Sequence, residues 1–108
     1  MLDTAIPTHV DITDKRLLRS FAYVNGKWRA ASDGGSFNVT DPANGAFLGE
    51  VAKLTAEDSS SAVDAAQMAF ADWSMTLPQE RAAIIRRWFD LMLAHKEDLA
   101  RIMVLEQG

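Results

Sequence analysis

The 108-residue sequence contains no cysteine. That absence excludes a disulfide, a cysteine-ligated metal and a cysteine nucleophile within these residues, and it is compatible with a cytoplasmic protein. No apolar run approaches the roughly 20 residues that a membrane-spanning helix requires. The first residues also lack the basic-then-apolar pattern of a secretory signal peptide. We therefore expect a cytoplasmic location and no membrane partner.

Histidine is nearly as scarce, since only His9 and His95 are present. Neither has a partner at a metal-binding spacing such as HxxxH or HExxH, and the phosphate-binding patterns GxGxxG and GxxxxGK are missing. Most carboxylates fall at predicted helix ends or on polar faces. The residues alone therefore predict no catalytic, cofactor-binding or metal-binding site.

Basic charge is also in deficit, because 11 Lys and Arg residues stand against 15 Asp and Glu residues, for a net charge of −4. A nucleic-acid-binding surface needs clustered basic residues, so no nucleic-acid partner is expected. The 48% hydrophobic and 24% charged residues are typical of a globular protein, and the length suits one small domain.

The strongest positive signal is a helical pattern that runs from Leu77 to Gly108. Its apolar residues recur at intervals of three and four, which is the period of an α-helix. They nearly encircle two turns, and such a helix is normally buried on all sides. The apolar residues are Ile84, Ile85, Trp88, Phe89, Leu91, Met92 and Leu93, followed by Leu99, Ile102 and Met103. The preceding chain is too short to cover them all. We therefore expect an exposed face that binds another chain or a continuation of this one.

Two details of this long pattern predict local structure. The polar run from His95 to Asp98 predicts a break in the helix, with Asp98 capping the second part. At the first helical turn, Leu77 cannot act as an N-cap through its side chain. Thr76 and Gln79 are expected to supply a shifted capping box instead.

Turn signals divide the first half of the chain into two β-hairpins. Asn25-Gly26 is the dipeptide of a two-residue type I′ turn. Residues 41–45 form a second turn, between strands at residues 36–40 and 47–53. Before the hairpins, residues 1–14 lack any period and are interpreted as a loose arm, with a possible short helix at residues 14–20.

A further helix is predicted over residues 56–73, opened by a capping box of Thr55 and Asp58. The small alanine side chains on its apolar face allow another element to approach closely. Only a short connection separates this helix from the next, so we expect close antiparallel packing between the two. The sequence thus predicts an α/β fold of two β-hairpins followed by an antiparallel helix pair. Residues 1–20 form a mobile N-terminal arm, and residues 21–108 form the folded part.

The order of these motifs resembles the N-terminus of the aldehyde dehydrogenase superfamily over residues 18–108. The motifs are YVNGKW, FNVTDPANGAFLGEV, an alanine-rich helix ending in FADW, and QERAAIIRRWFDLMLAHKEDLARIMVLEQG. The last stretch is most similar to NAD(P)-dependent succinate-semialdehyde dehydrogenases and their glutarate-semialdehyde relatives. The resemblance implies that residues 21–108 are the incomplete N-terminal portion of a Rossmann-like NAD(P)-binding domain. It also implies two kinds of partner, the remainder of the dehydrogenase chain and further copies in a homo-oligomer.

The resemblance further implies oxidation of succinate semialdehyde, or a related semialdehyde, to the carboxylic acid, as in 4-aminobutyrate catabolism. Family members attack the aldehyde with a cysteine thiolate, transfer hydride to NAD⁺ or NADP⁺ and hydrolyse the thioester. Their catalytic and dinucleotide-binding residues all match positions beyond Gly108. None is carried over, so the 108-residue chain alone is expected to bind no cofactor and to be inactive.

A minor site is also implied, because some relatives bind a monovalent cation at positions that match Val39, Thr40 and Glu106. The alternative interpretation of these three residues is a strand end and a helix C-terminus without a ligand.

A rival hypothesis is a stand-alone helical protein-interaction module, or a truncated non-catalytic relic, that binds a partner through the apolar face. The reading frame after Gly108 discriminates between the hypotheses. A continuation that begins Lys-Pro and contains a later cysteine favours the enzyme, whereas a natural stop favours the module or the relic.

Overall fold

A computed structural model describes residues 10–108, so His9 and the first part of the predicted arm lie outside the described residues. Within residues 10–108, a 3₁₀ turn at Lys15–Leu17 leads into four strands and three helices. The strands are β1 (Ala22–Val24), β2 (Lys27–Arg29), β3 (Ser36–Thr40) and β4 (Phe47–Ala52), and the helices are α1 (Ala56–Met75), α2 (Pro78–Ala94) and α3 (Lys96–Gln107). The order confirms the predicted α/β arrangement of two hairpins followed by helices.

The first hairpin joins β1 to β2 and pairs Tyr23 with Trp28 across the ladder. Its turn residues Asn25 and Gly26 have φ values of 51° and 74°. A type I′ turn requires positive φ at both central positions, which Asn tolerates and Gly adopts freely. The predicted turn is therefore confirmed.

The second hairpin pairs β3 with β4 in antiparallel register, with an irregularity between Val39 and Thr40. Gly45, with φ of 74°, reverses the chain at the predicted turn. A bond of 2.7 Å from the Ala52 N–H to the Ser20 carbonyl ties the hairpin to the segment before β1. The two hairpins are thus separate two-stranded sheets held together by connecting segments.

The starts of the first two helices differ in how well the sequence predicts them. α1 opens on the predicted capping box with both of its reciprocal hydrogen bonds. The box predicted from Thr76 and Gln79 at the start of α2 is wrong. α1 runs on to Met75, so the Thr76 hydroxyl donates back to an α1 carbonyl at 3.3 Å. The N–H of Leu77 donates instead to the Glu80 carboxylate at 3.4 Å.

The predicted break in the long helix is confirmed at His95, which has φ of −108° and ψ of 15°. The α2 ladder closes with the bond from the His95 N–H to the Leu91 carbonyl, and the α3 ladder opens with the bond from the Leu99 N–H to the His95 carbonyl. The predicted capping role of Asp98 is wrong, because His95 occupies the N-cap position and Asp98 lies three residues inside α3.

The core lies between β4, α3 and the N-terminal segment. Val10 and Ile12 are the most buried of the described residues, at 3% and 5% exposed, and they contact Leu48 of β4. Leu17, Leu18, Val39, Ile102 and Leu105 pack around these three residues. The interpretation of residues 10–14 as part of a loose arm is therefore wrong. A segment without helical or strand periodicity still places two apolar side chains, spaced two residues apart, in the core.

Helices α1 and α2 contribute little to this core, because neither contains a buried residue. The strands of each hairpin contact one another, and α2 contacts α3 where the two helices meet at His95. The predicted close packing of α1 against α2 therefore does not form within the described chain. The large apolar side chains of both helices are instead exposed in the described part of the chain.

We expect Gly26→Val to lower the free energy of unfolding by about 1 kcal/mol or more, because a β-branched residue is strained at positive φ. Nothing lies within 4 Å of the Cβ that a side chain would add at this position, so the cost comes from the backbone alone. The measurement is chemical denaturation. Lys27→Val is the matched control, because it places the same side chain one residue later in β2. Identical denaturation curves for Gly26→Val and the wild type would reject this prediction.

Candidate functional site

Asp98 is the most buried charged side chain of the described residues, at 6% exposed. Its two carboxylate oxygens accept hydrogen bonds from the backbone N–H groups of Thr13 and Asp14, each at 2.8 Å. These two bonds lower the pKa of Asp98 below its usual 3.8 and outweigh burial, which acts in the opposite direction. Asp98 is therefore ionised at neutral pH, as a carboxylate that accepts two backbone N–H groups should be.

Arg101 adds a second contact from α3 to the same segment, which we call the strap (residues 10–14). Its Nη1 donates to the Asp11 carbonyl at 3.0 Å and lies 3.4 Å from the Asp11 carboxylate. The ion pair is exposed, with 54% of the Arg101 side chain accessible, and such pairs contribute little stability. The bond to the carbonyl fixes the position of the strap, and the Lys15 ammonium also donates to a strap carbonyl, that of Val10.

A second carboxylate ties α1 to the loop after β2. The Asp58 carboxylate accepts the N–H of Thr55 at 3.0 Å and the N–H of Ser32 at 3.1 Å. These backbone bonds, in that order, lower the pKa of Asp58 from 3.8 to about 2. Asp58 thus serves as the capping residue that the sequence predicts and also as an anchor for the loop, which the sequence does not predict.

A cavity of about 170 Å³ lies between the β3–β4 hairpin, α3 and the strap. Val39 and Glu106, two of the three residues matched to a cation site, line this cavity, whereas Thr40 does not. Among residues 10–108, no group of three His, Cys, Asp or Glu side chains is arranged to hold a metal ion. The structure therefore brings two of the three candidate residues together, and their role as a ligand set stays a prediction.

The largest unpartnered feature is the α2 surface, a set of exposed apolar side chains on one helix. Trp88 and Phe89 at its centre are 62% and 47% exposed. Its members are Ile84, Ile85, Trp88, Phe89, Leu91, Met92 and Leu93. This exposure confirms the sequence prediction, while Leu99 and Ile102 on α3 are half-buried. Contiguous apolar surfaces of this kind mark sites of protein contact.

The described carboxylates of this region hold segments of the backbone together. The sequence has no thiol, and the carboxylates of Asp58 and Asp98 each accept two backbone N–H groups. No helix in residues 10–108 is long and apolar enough to cross a membrane. The contact between Asp98 and the strap was not predicted, because a bond between residues so distant in the chain leaves no periodic pattern.

The amino-acid sequence matches a known protein family. The model of the aldehyde dehydrogenase family matches residues 28–108. The chain is 46% identical over 97 residues to an NADP⁺-dependent succinate-semialdehyde dehydrogenase of Escherichia coli K12, a match that covers 90% of this chain and 20% of that protein. It is 40% identical over 99 residues to a glutarate-semialdehyde dehydrogenase of Pseudomonas putida, covering 92% of this chain and 21% of the relative.

Solved structures agree with these sequence matches. An NADP-dependent enzyme of E. coli superposes with a TM-score of 0.88 at 46% identity, covering 91% of this chain and 20% of that one. A succinate-semialdehyde dehydrogenase from Burkholderia pseudomallei gives a TM-score of 0.84 at 48% identity, covering 87% and 20%. The chain spans about a fifth of the length of the relatives that it matches.

We expect Asp58→Asn to destabilise the protein at neutral pH, because two backbone N–H groups of the folded protein donate hydrogen bonds to the charged carboxylate. A folded pKa of about 2, below the usual 3.8, makes this contribution complete above pH 3.8. The contribution then disappears as the pH falls toward 2. Denaturation of the wild type and the variant across this pH range is the measurement. Glu57→Gln removes a charge from the same helical turn and should have a much smaller effect. A stability difference that persists unchanged below pH 2 would contradict the assignment.

The open α2 surface should make the isolated chain self-associate, because fully burying a large apolar side chain contributes about 1.5–3 kcal/mol. Size-exclusion chromatography with light scattering should detect oligomers, and a hydrophobic dye should bind. The double variant Trp88→Gln and Phe89→Gln should shift the chain toward monomer, whereas the exposed control Arg87→Gln should not. A monomeric, dye-negative wild-type chain with a cooperative melt would instead indicate a complete core.

Proposed function

Because the chain belongs to the aldehyde dehydrogenase family, we propose that it forms the N-terminal fifth of an NAD(P)-dependent semialdehyde dehydrogenase. The enzyme would oxidise succinate semialdehyde, or a related semialdehyde, to the carboxylic acid. The observation that carries this proposal is 46% identity over 97 residues to a succinate-semialdehyde dehydrogenase. A glutarate-semialdehyde dehydrogenase at 40% identity supports the wider substrate class.

Within such an enzyme, this segment would supply framework rather than chemistry. The nucleophilic cysteine of the family mechanism must come from outside these residues, since the sequence contains none. Residues 10–108 also lack a glycine-rich loop of the kind that holds dinucleotide phosphates. We therefore assign no NAD⁺ or NADP⁺ contact to this segment. Its proposed role is structural: the two hairpins and α3 would form part of the cofactor-binding domain.

The partners proposed for this segment are the remaining four-fifths of the dehydrogenase chain and further copies in a homo-oligomer. The α2 surface supports the first of these, because side chains as large as Trp88 and Phe89 are exposed in the segment alone. An excess of basic residues, which a nucleic-acid partner would require, is absent from the sequence. We further propose a cytoplasmic location, in line with the absence of cysteine.

The test compares two lengths of the protein in the same assay. The 108-residue chain should give no reduction of NAD⁺ or NADP⁺ above the buffer blank with succinate semialdehyde, because it has no thiol to form the thioester. The natural-length product of the same gene should reduce one of the two cofactors. Its kcat/KM should be higher with succinate or glutarate semialdehyde than with butanal, which matches them in reactivity but lacks the carboxylate.

Two results would contradict the proposal. Turnover by the 108-residue chain would show that the chemistry does not depend on a cysteine beyond it. A natural-length product that ends at Gly108, or that is inactive with all of these aldehydes, would favour the interaction module or the non-catalytic relic.

A further inference from the structure

The break between α2 and α3 has no local cause in the sequence. From Gln79 to Gln107 there is neither a glycine nor a proline, the two residues that most readily end a helix. His95 at the N-cap position makes no side-chain capping bond. The residues around the break are mostly good helix formers such as Leu, Ala, Lys and Glu. A sequence of this kind favours one continuous helix through His95.

The contacts that act on the break come from the strap. Asp98, three residues after His95, accepts the Thr13 and Asp14 N–H groups, both at 2.8 Å. One turn later, Arg101 donates to the Asp11 carbonyl at 3.0 Å.

The apolar contacts of α3 lie on the same side of the helix. Ile102 and Leu105 follow Asp98 at intervals of four and seven residues, so the three side chains share one face. Both apolar residues pack against the core formed by Val10, Ile12 and Leu48. The start of α3 is therefore fixed from outside the helix, by the strap and the core.

We infer that the strap imposes the break at His95, and that Asp98 is the positioning residue through which it acts. When residues 10–14 dock, they hold the first turn of α3 so that the axis of α3 does not continue the axis of α2. Release of the strap allows the helical ladder to close through His95 and joins α2 to α3. The N-terminal segment thereby determines how the α2 surface is oriented relative to the core.

The test is backbone NMR on the 108-residue chain that carries Trp88→Gln and Phe89→Gln to keep it monomeric. Amide hydrogen exchange and chemical shifts are measured for this chain, which serves as the wild type for Asp98, and for three variants of it. Asp98→Ala removes both acceptors. Asp98→Asn keeps the shape of the side chain and one acceptor, and it guards against a variant that fails to fold. Glu97→Gln is the matched control, because it removes a charge from the same first turn of α3, and the hydrogen bonds of α3 to the strap come from Asp98 and Arg101 instead.

In Asp98→Ala, the Thr13 and Asp14 amides should exchange at least about tenfold faster than in the wild type, as expected for local release. At the same time, the shifts of His95 and Lys96 should move to helical values and their amides should gain protection. Asp98→Asn should show both changes in weaker form, and Glu97→Gln should show neither.

Two outcomes would overturn the inference. A released strap with an unchanged break at His95 would show that the break is local. Unprotected Thr13 and Asp14 amides in the wild type would show that the strap does not dock.

Discussion

The two oxygens of the Asp98 carboxylate bind backbone N–H groups that lie 85 and 84 residues earlier in the chain. This contact joins the N-terminal segment to the last helix and places Val10 and Ile12 over Leu48. A buried carboxylate is costly unless its oxygens are hydrogen-bonded, so Asp98 and the strap depend on one another. The contact holds the strap on α3, and the strap supplies two of the three buried residues of the small core.

The same structure leaves most of its apolar side chains outside that core. Among residues 10–108, the buried apolar residues are Val10, Ile12, Ala31 and Leu48, whereas α1 and α2 bury none. Folding must offset a large loss of conformational entropy through apolar burial, and a core of this size offsets little of it. The family members that the chain matches are about five times longer. We propose that the exposed faces of the two helices contact the rest of such a protein.

Local signals predicted much of this fold. The Asn25-Gly26 turn and the capping box of α1 each depend on a few neighbouring residues, and each was identified correctly. The break near His95 was also predicted in the right place, from a polar run, although we infer that the distant strap imposes it. The tertiary contacts were not predictable in the same way. Nothing in the sequence indicates that Asp98 binds Thr13 and Asp14 instead of capping α3, because a bond between such distant residues leaves no periodic pattern. The close packing of α1 on α2 was predicted from the short connection between them. A short connection keeps the ends of two helices near each other, but it does not determine whether their apolar faces pack together.

We propose that this chain is one part of a larger dehydrogenase and that its α2 surface is completed from outside residues 1–108. The most direct test is an experimental structure of the natural-length protein. We expect Trp88 and Phe89 to lie buried against later residues of the same chain or against a neighbouring subunit. A structure in which both side chains remain exposed to solvent, as they are here at 62% and 47%, would contradict it.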